Sequence, residues 1–312
     1  MLNTIVEGDF LETLYKIPDN SIDLILWDPP YAATDAAWDL GFPIAYVWPE
    51  IKRVLSKDSP VVINACGLFT FALYNTNPGD FNTRWLWKKN NLGGILNARK
   101  KPLREFEDVL VFGKHSRYNP QYRGEIKDRV SHSSAYNKRS PLFDNRGKAK
   151  ETIEKRGKFP TELLEFKGSA FENKEWHWHP TQKPVELGRY FVRTYSNPGH
   201  TVLDLSCGAG SYPLAAMLEG RNFIGIDKNI GVSIVRKNKC VNSWTKNMRP
   251  LENGQKGYEY DLDCIALSKA RIRAALPTLS DEARATLAPV GLLAPPALTM
   301  RAPQMDTISD LP

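Results

Sequence analysis

The segment 201–227 constrains the fold of this 312-residue chain more than any other. Thr201-Val202-Leu203-Asp204-Leu205 is a short apolar run that reads as a buried strand. Ser206-Cys207-Gly208-Ala209-Gly210-Ser211 follows as a glycine-containing turn, residues 213–218 read as a helix, and residues 222–226 form a second strand ending at Asp227. Two strands joined by a crossover helix are parallel, and parallel strands need helices on both faces of their sheet. The chain is therefore predicted to be α/β, a doubly wound and mostly parallel sheet. Other segments agree: 22–27, 60–65 and 109–112 read as short buried strands, and 44–55 and 185–195 as helices.

The length suits one large α/β domain carrying an inserted or appended module, since single domains run to roughly 250 residues. From about 115 to 171 the periodicity fades into Arg, Lys, Ser, Asn and Gly, which predicts an irregular module or insert. Regularity then returns, with a further amphipathic helix expected at about 262–276. The Pro- and Ala-rich stretch 277–312 is expected to be a largely disordered tail. Nothing approaches the ~18 uncharged apolar residues of a membrane span, and residues 1–6 lack the pattern of a secretory signal, so a cytoplasmic protein without membrane association is expected. Cys66, Cys207, Cys240 and Cys264 are too scattered for a metal knuckle and read as free thiols. His177 and His179 flank Trp178 with no Cys or carboxylate at ligand spacing, so no metal is expected.

The formal net charge is +7, but it is unevenly placed. Residues 84–158 hold 20 Lys and Arg against 8 Asp and Glu, a local +12 that leaves 7 − 12 = −5 for the rest of the chain. Concentrated cations interleaved with Trp85, Trp87, Phe106, Tyr118, Tyr122 and Tyr136 suit a polyphosphate partner, because binding releases the counterions of the nucleic acid.

Two constellations carry chemistry. Asp28-Pro29-Pro30-Tyr31 follows the strand 22–27 directly, and in open parallel sheets ligands bind beyond the carboxyl ends of the strands. The prolines stiffen the turn and leave carbonyls without competing donors, Asp28 supplies a carboxylate, and Tyr31 offers a stacking face. That set suits an amino group on a flat ring, although a plain proline turn with a surface Asp has the same sequence. In the second constellation, glycines in 206–211 let the backbone approach a ligand, and Asp227 at the next strand end can bridge the hydroxyls of a ribose. A nucleoside-like cofactor is the reading, with a tight strand–helix turn as the alternative.

Taken in order, these motifs resemble the beta class of DNA amino-methyltransferases, the N6-adenine and N4-cytosine enzymes. The matches are Gly8-Asp9-Phe10-Leu11-Glu12, Asp28-Pro29-Pro30-Tyr31, Glu107-Asp108-Val109-Leu110-Val111-Phe112, His179-Pro180-Thr181-Gln182-Lys183-Pro184, Thr194-Tyr195-Ser196-Asn197-Pro198-Gly199, the glycine loop and Gly225-Ile226-Asp227. They span roughly residues 1–230, with the catalytic turn preceding the cofactor loop. The resemblance implies a Rossmann-like methyltransferase sheet with circularly permuted motif order. It implies a catalytic half at 1–114, a basic target-recognition region at 115–175 and a cofactor-binding half at 176–276. By the same likeness Asp28 and Pro29 hold the target amine, Pro30 completes the catalytic turn and Tyr31 stacks on the extruded base. Asp204, Ser206, Gly208 and Gly210 line S-adenosylmethionine, Asp227 binds its ribose, Asp9 lies near its adenine, and Thr181 and Lys183 lie near its methionine end. Asp9 also reads as a helix cap and Lys183 as a surface charge.

Three features depart from the family pattern. Leu205-Ser206 stands where Pro-Phe is usual, which removes an aromatic contact with the cofactor. Pro213 lies in the first turn of a helix, where proline is tolerated. The helix that follows the ribose-binding acid is split by an insert at about 229–259 that carries no readable role. The implied partner is double-stranded DNA, site-specifically methylated at adenine N6 by base flipping; the oligomeric state stays open, a dimer among the options. Cytosine N4 is the alternative target, and a catalytically weak DNA-binding member of the fold is the alternative class. RNA and protein-glutamine methyltransferases share the Pro-Pro-Tyr turn but usually place the glycine loop before it.

Overall fold

A computed structural model describes residues 2–32, 39, 44–132, 151–169, 178–230, 232–236, 242–251 and 257–288. Strands β1 (Thr4–Glu7), β2 (Leu24–Trp27), β3 (Val61–Ala65), β9 (Thr201–Asp204) and β10 (Asn222–Asp227) run parallel in the spatial order β1-β10-β9-β2-β3. β2, β3 and β9 are buried along their whole length, the condition of a strand covered on both faces. Beyond β3 the sheet continues through β5 (Arg104–Phe112), which is antiparallel, then β4 (Phe81–Gly93) and the short β8 (Leu163–Glu165). The result is an eight-stranded, mostly parallel sheet with β5 reversed.

Alternation along each strand sorts the core into two layers. Leu24 and Leu26 face helices α4 (Val185–Tyr195), α5 (Ser211–Leu218) and α6 (Cys264–Ala275), whereas Ile25 and Trp27 face α1 (Phe10–Leu14), α2 (Trp48–Val54) and α3 (Leu68–Thr76). A one-residue slip would exchange these faces, so burial on both sides pins the register. Pro213 does not interrupt α5, because its missing N–H falls among the first-turn donors that a helix leaves unpaired.

Three segments differ from their expected character. Within 115–171 the chain forms a two-stranded antiparallel ribbon, β6 (Arg123–His132) with β7 (Glu151–Lys158), and then β8 joins the main sheet beside β4. The insert read at 229–259 forms a three-stranded antiparallel sheet of β11 (Ser233–Arg236), β12 (Thr245–Pro250) and β13 (Tyr258–Leu262) with β13 in the middle, and has its own apolar cluster of Val232, Ile234, Tyr260 and Leu262 against Trp178 and Leu267. The tail does not lose order at 277: α7 (Asp281–Thr286) follows, and Leu279 and Ala283 are buried in the core. Its Pro and Ala content misled because a few well-spaced apolar residues suffice when the folded sheet offers them a groove. Cys66, Cys207 and Cys264 are free thiols, whereas Cys240, His177 and the stretches 133–150 and 289–312 lie outside the described residues. Among the described residues no helix is long and apolar enough to cross a membrane.

Candidate active site

Neighbouring strands β2 and β9 send the chain to opposite faces of the sheet, β2 towards α2 and β9 directly into α5. A crevice opens at such a switch point, and both motifs sit on its carboxyl edge. Ser206 ties them together: its hydroxyl accepts from Trp27 Nε1 at 2.8 Å and donates to the Asp28 carbonyl at 2.9 Å. A Phe at this position could make neither bond, so the change from the family pattern exchanges an aromatic surface for a link between the two turns.

Asp28 is the centre of a charged cluster. Its Oδ1 accepts from the Tyr31 hydroxyl at 2.6 Å, and its Oδ2 accepts from Lys183 Nζ at 2.7 Å. Lys183 is buried, lies 3.6 Å from Glu107 Oε2 and 5.6 Å from the centre of the Tyr31 ring. Lys89 closes the cluster by donating to Glu107 Oε1 at 2.7 Å. Tyr31 stacks on Phe69 of α3, with centroids 5.0 Å apart and planes at 30°. Burial pushes the Asp28 carboxyl above its ordinary value; Lys183 and Tyr31 pull against it and Glu107 adds to it. Burial would also raise Glu107, but the Lys183 and Lys89 ammoniums hold it below the usual glutamate value. Lys183 rises despite burial, because two carboxylates face it. Two anions balanced by two cations make a neutral cluster, which is how charge is tolerated away from water.

The glycine loop forms the other wall. Gly208 and Gly210 have φ of +48° and +73°, the left-handed region that favours glycine. A Cβ on Gly210 would lie 2.8 Å from Ser268 of α6, so side chains are excluded by contact as well as by conformation. Asp227 accepts from the Gly208 N–H at 2.8 Å and the Asn229 N–H at 2.7 Å, which aims its carboxylate while each oxygen keeps a lone pair for another donor. Asp204 is buried, accepts from Ser206 N at 3.2 Å, and is pushed well above the carboxylate range by its burial.

The remaining predicted residues fall around this wall. Asp9 caps α1 through Leu11 N at 2.8 Å and pairs with Lys228 at 2.7 Å, so the cap reading describes its contacts. Its neighbour Gly8 bonds the Asp227 carbonyl, which places this turn at the end of β10. Thr181 is exposed and lies within 3.2 Å of His179 Nδ1, and the His179 ring borders the position a Gly208 side chain would take. Lys183 is not a surface charge: the fold joins it to the catalytic turn. Glu107, Lys89 and Phe69 carried no assigned role in the sequence. Their one signal is a pair of carboxylates, Glu107 and Asp108, heading the fully apolar run 109–112.

The comparisons decide the family. The family model described as DNA methylase, for the N6 and N4 enzymes, matches residues 22–233. The chain belongs to this DNA methylase family. It is 30% identical over 237 residues to the DNA adenine methyltransferase YhdJ of Escherichia coli, covering 72% of this chain and 78% of that protein. It is 26% identical to the type II methyltransferase M1.MboII of Moraxella bovis, covering 73% and 92%. Among solved structures, the cytosine-N4-specific PvuII DNA methyltransferase shares the fold, with a TM-score of 0.51 at 17% identity over 73% of this chain and 82% of that one.

S-adenosylmethionine is the methyl donor of this family, and the crevice fits it. Asp227 presents free lone pairs at the end of β10, where a ribose edge can be bridged, and the positive-φ glycines leave backbone rather than side chains facing the ligand. The resulting protein is a DNA methyltransferase whose sheet carries the permuted motif order.

Proposed function

We propose that this methyltransferase acts on the N6 amino group of adenine in double-stranded DNA, within a recognition sequence. The observation that carries the reading is the Ser206 link, which fixes Asp28 beside the glycine loop at the switch point between β2 and β9. Adenine rather than cytosine is supported by Asp at the head of the Pro-Pro-Tyr turn and by the relative named an adenine methyltransferase.

Bound there, the cofactor supplies an electrophilic methyl group on a sulfonium centre. An exocyclic amine is a weak nucleophile because its lone pair is delocalised into the ring, so the residues of the site work mainly by positioning. The Asp28 carboxylate and the Pro29 carbonyl accept the two amine hydrogens and turn the lone pair towards the methyl group. The same carboxylate favours the positive charge that develops on nitrogen and stands ready to receive the proton afterwards. A stacked base cannot reach this crevice, so it is flipped out, and Tyr31 supplies the face on which it rests. Asp204, Gly208, Gly210 and Asp227 bind the cofactor, with Thr181 at the rim.

DNA is held by cations around the crevice. The β4–β5 hairpin carries exposed Arg99, Lys100, Lys101 and Arg104 on the site's edge, and the β6–β7 ribbon of the proposed target-recognition region carries Arg123, Lys127, Lys155 and Lys158. The deciding experiment incubates the protein with unmethylated DNA and labelled S-adenosylmethionine, digests to nucleosides and identifies the product by mass spectrometry. Label in N6-methyladenine is expected. Label in N4-methylcytosine would overturn the base assignment, and label in neither across varied DNA would favour an inactive DNA-binding protein.

A further inference from the structure

Each oxygen of the carboxylate assigned to the target amine already holds one donor. Asp28 Oδ1 holds the Tyr31 hydroxyl and Oδ2 holds the Lys183 ammonium. An incoming amine would meet that ammonium at the oxygen it needs, and the repulsion would grow as methylation makes the nitrogen cationic. A shift of Lys183 away from Asp28 relieves this repulsion, yet a buried ammonium without a partner is strongly disfavoured. A second acceptor is in place. Glu107 Oε2 is buried, lies 3.6 Å from Lys183 Nζ and has no hydrogen-bond partner among the described residues. Its companion Oε1 is anchored by Lys89 at 2.7 Å, so the free oxygen stays aimed at Lys183. The two lysines and Glu107 meet because β4 pairs with β5 in the register Trp87 to Glu107, and because Lys183 precedes α4 on the adjoining edge.

We propose that Glu107 is a positioning residue whose free oxygen receives the Lys183 ammonium when a target amine takes its place on Asp28. This rests on the reading of Asp28 as the acceptor of the amine. The move needs only the flexible end of one side chain to travel about an ångström, and the cluster stays neutral throughout. The ion pair with Asp28 thus keeps the carboxylate charged and aimed while no base is bound, and Glu107 makes its release possible.

The groups facing Asp28 from every side are Tyr31 on its own turn, Lys183 before α4, Glu107 on β5, Asp204 on β9 and Tyr212 on α5. Glu107 is the neighbour in this set whose charge raises Asp28 and can be removed without touching cofactor or base. The test compares the full-length protein with Glu107→Gln and Glu107→Asp, using unmethylated genomic DNA and S-adenosylmethionine. For Glu107→Gln the expected results are a kcat lowered at least tenfold, a cofactor dissociation constant by calorimetry within twofold of wild type, and an acid limb of kcat/KM displaced to lower pH. The sign follows because loss of a negative neighbour lets Asp28 stay ionised at lower pH. Glu107→Asp should recover part of the rate. An unchanged kcat would overturn the proposal, and so would a lower rate with weakened cofactor binding and an unmoved acid limb, the mark of a merely structural role. Asp28→Ala, assayed alongside, separates the two readings: if that variant retains activity, it is the assignment of Asp28 that fails.

Discussion

Asp28 and Asp227 are both carboxylates at strand ends, yet their surroundings give them different work. Asp28 is paired with an ammonium and a phenol, whereas Asp227 is aimed by the backbone N–H groups of Gly208 in the glycine loop and of Asn229 just after β10. Replacing Asp28 with Ala should cut methyl transfer to below a tenth of wild type with cofactor affinity retained, since the proposed function puts this side chain on the base rather than the cofactor. Replacing Asp227 with Ala should weaken S-adenosylmethionine binding by about 1–3 kcal/mol, the scale of a charge-assisted hydrogen bond, because it removes the proposed ribose contact and frees the Gly208 N–H of the loop. Calorimetry and single-turnover methylation on the same two variants check the pair; equal cofactor affinities in both would remove Asp227 from the ribose. These two residues were readable from the sequence because each is adjacent to the strand that places it. Glu107 was not, because its meaning depends on Lys183, 76 positions away, and nothing local in either segment points to the other.

At the level of elements, the glycine loop is shaped as much by α6 as by its own residues. Ser268 donates to the Gly208 carbonyl at 2.6 Å, Arg271 donates to the Ala209 carbonyl at 2.5 Å, and Gly210 approaches Ser268 too closely to carry a side chain. The small sheet of β11, β12 and β13 is therefore a detour after which the chain still delivers α6 to the loop. Gly210→Ala should destabilise the protein by about 2–4 kcal/mol, combining left-handed strain with overpacking against Ser268. It should also weaken cofactor binding in proportion to the loop's displacement. Urea unfolding with an unchanged midpoint would show that the loop is not clamped. This small sheet was hidden in the sequence because its strands are short and half-polar, as Ser233-Ile234-Val235-Arg236 illustrates, and they become strands only by pairing with one another.

For the whole molecule, the segment after α6 closes the far edge of the fold. Leu279 and Ala283 are buried against the core and Leu287 packs on it, while Ala288 bonds Asn222 and Asn3 through its N–H and carbonyl. Asn3, fully buried, also accepts from Phe223 N at 3.1 Å, so the beginning of the described chain, β10 and α7 share one hydrogen-bonded knot. Ending the chain at residue 276 should lower stability by about 3–6 kcal/mol, from two exposed leucine sites and several lost hydrogen bonds. That is a large share of the ~5–15 kcal/mol typical of a domain. A chain ending at 288 keeps every one of these contacts and should unfold at the wild-type temperature. Equal thermal midpoints for the two truncations would refute the role given to α7.

By itself the sequence determined the fold class, the two strand–turn motifs and their permuted order, because periodicity, glycine placement and strand-end acids are local signals that survive without a folded context. It also exposed the likeness to the DNA amino-methyltransferases, which needed only the order of motifs. Only the tertiary structure decided that Lys183 sits on Asp28, that Glu107 and Lys89 complete the charge balance, that Ser206 joins the two turns, and that Leu279 and Ala283 belong to the core. Each of these rests on contacts between segments distant along the chain. Such contacts follow from strand order and register, and those are set by the burial of the whole sheet rather than by any one stretch of residues.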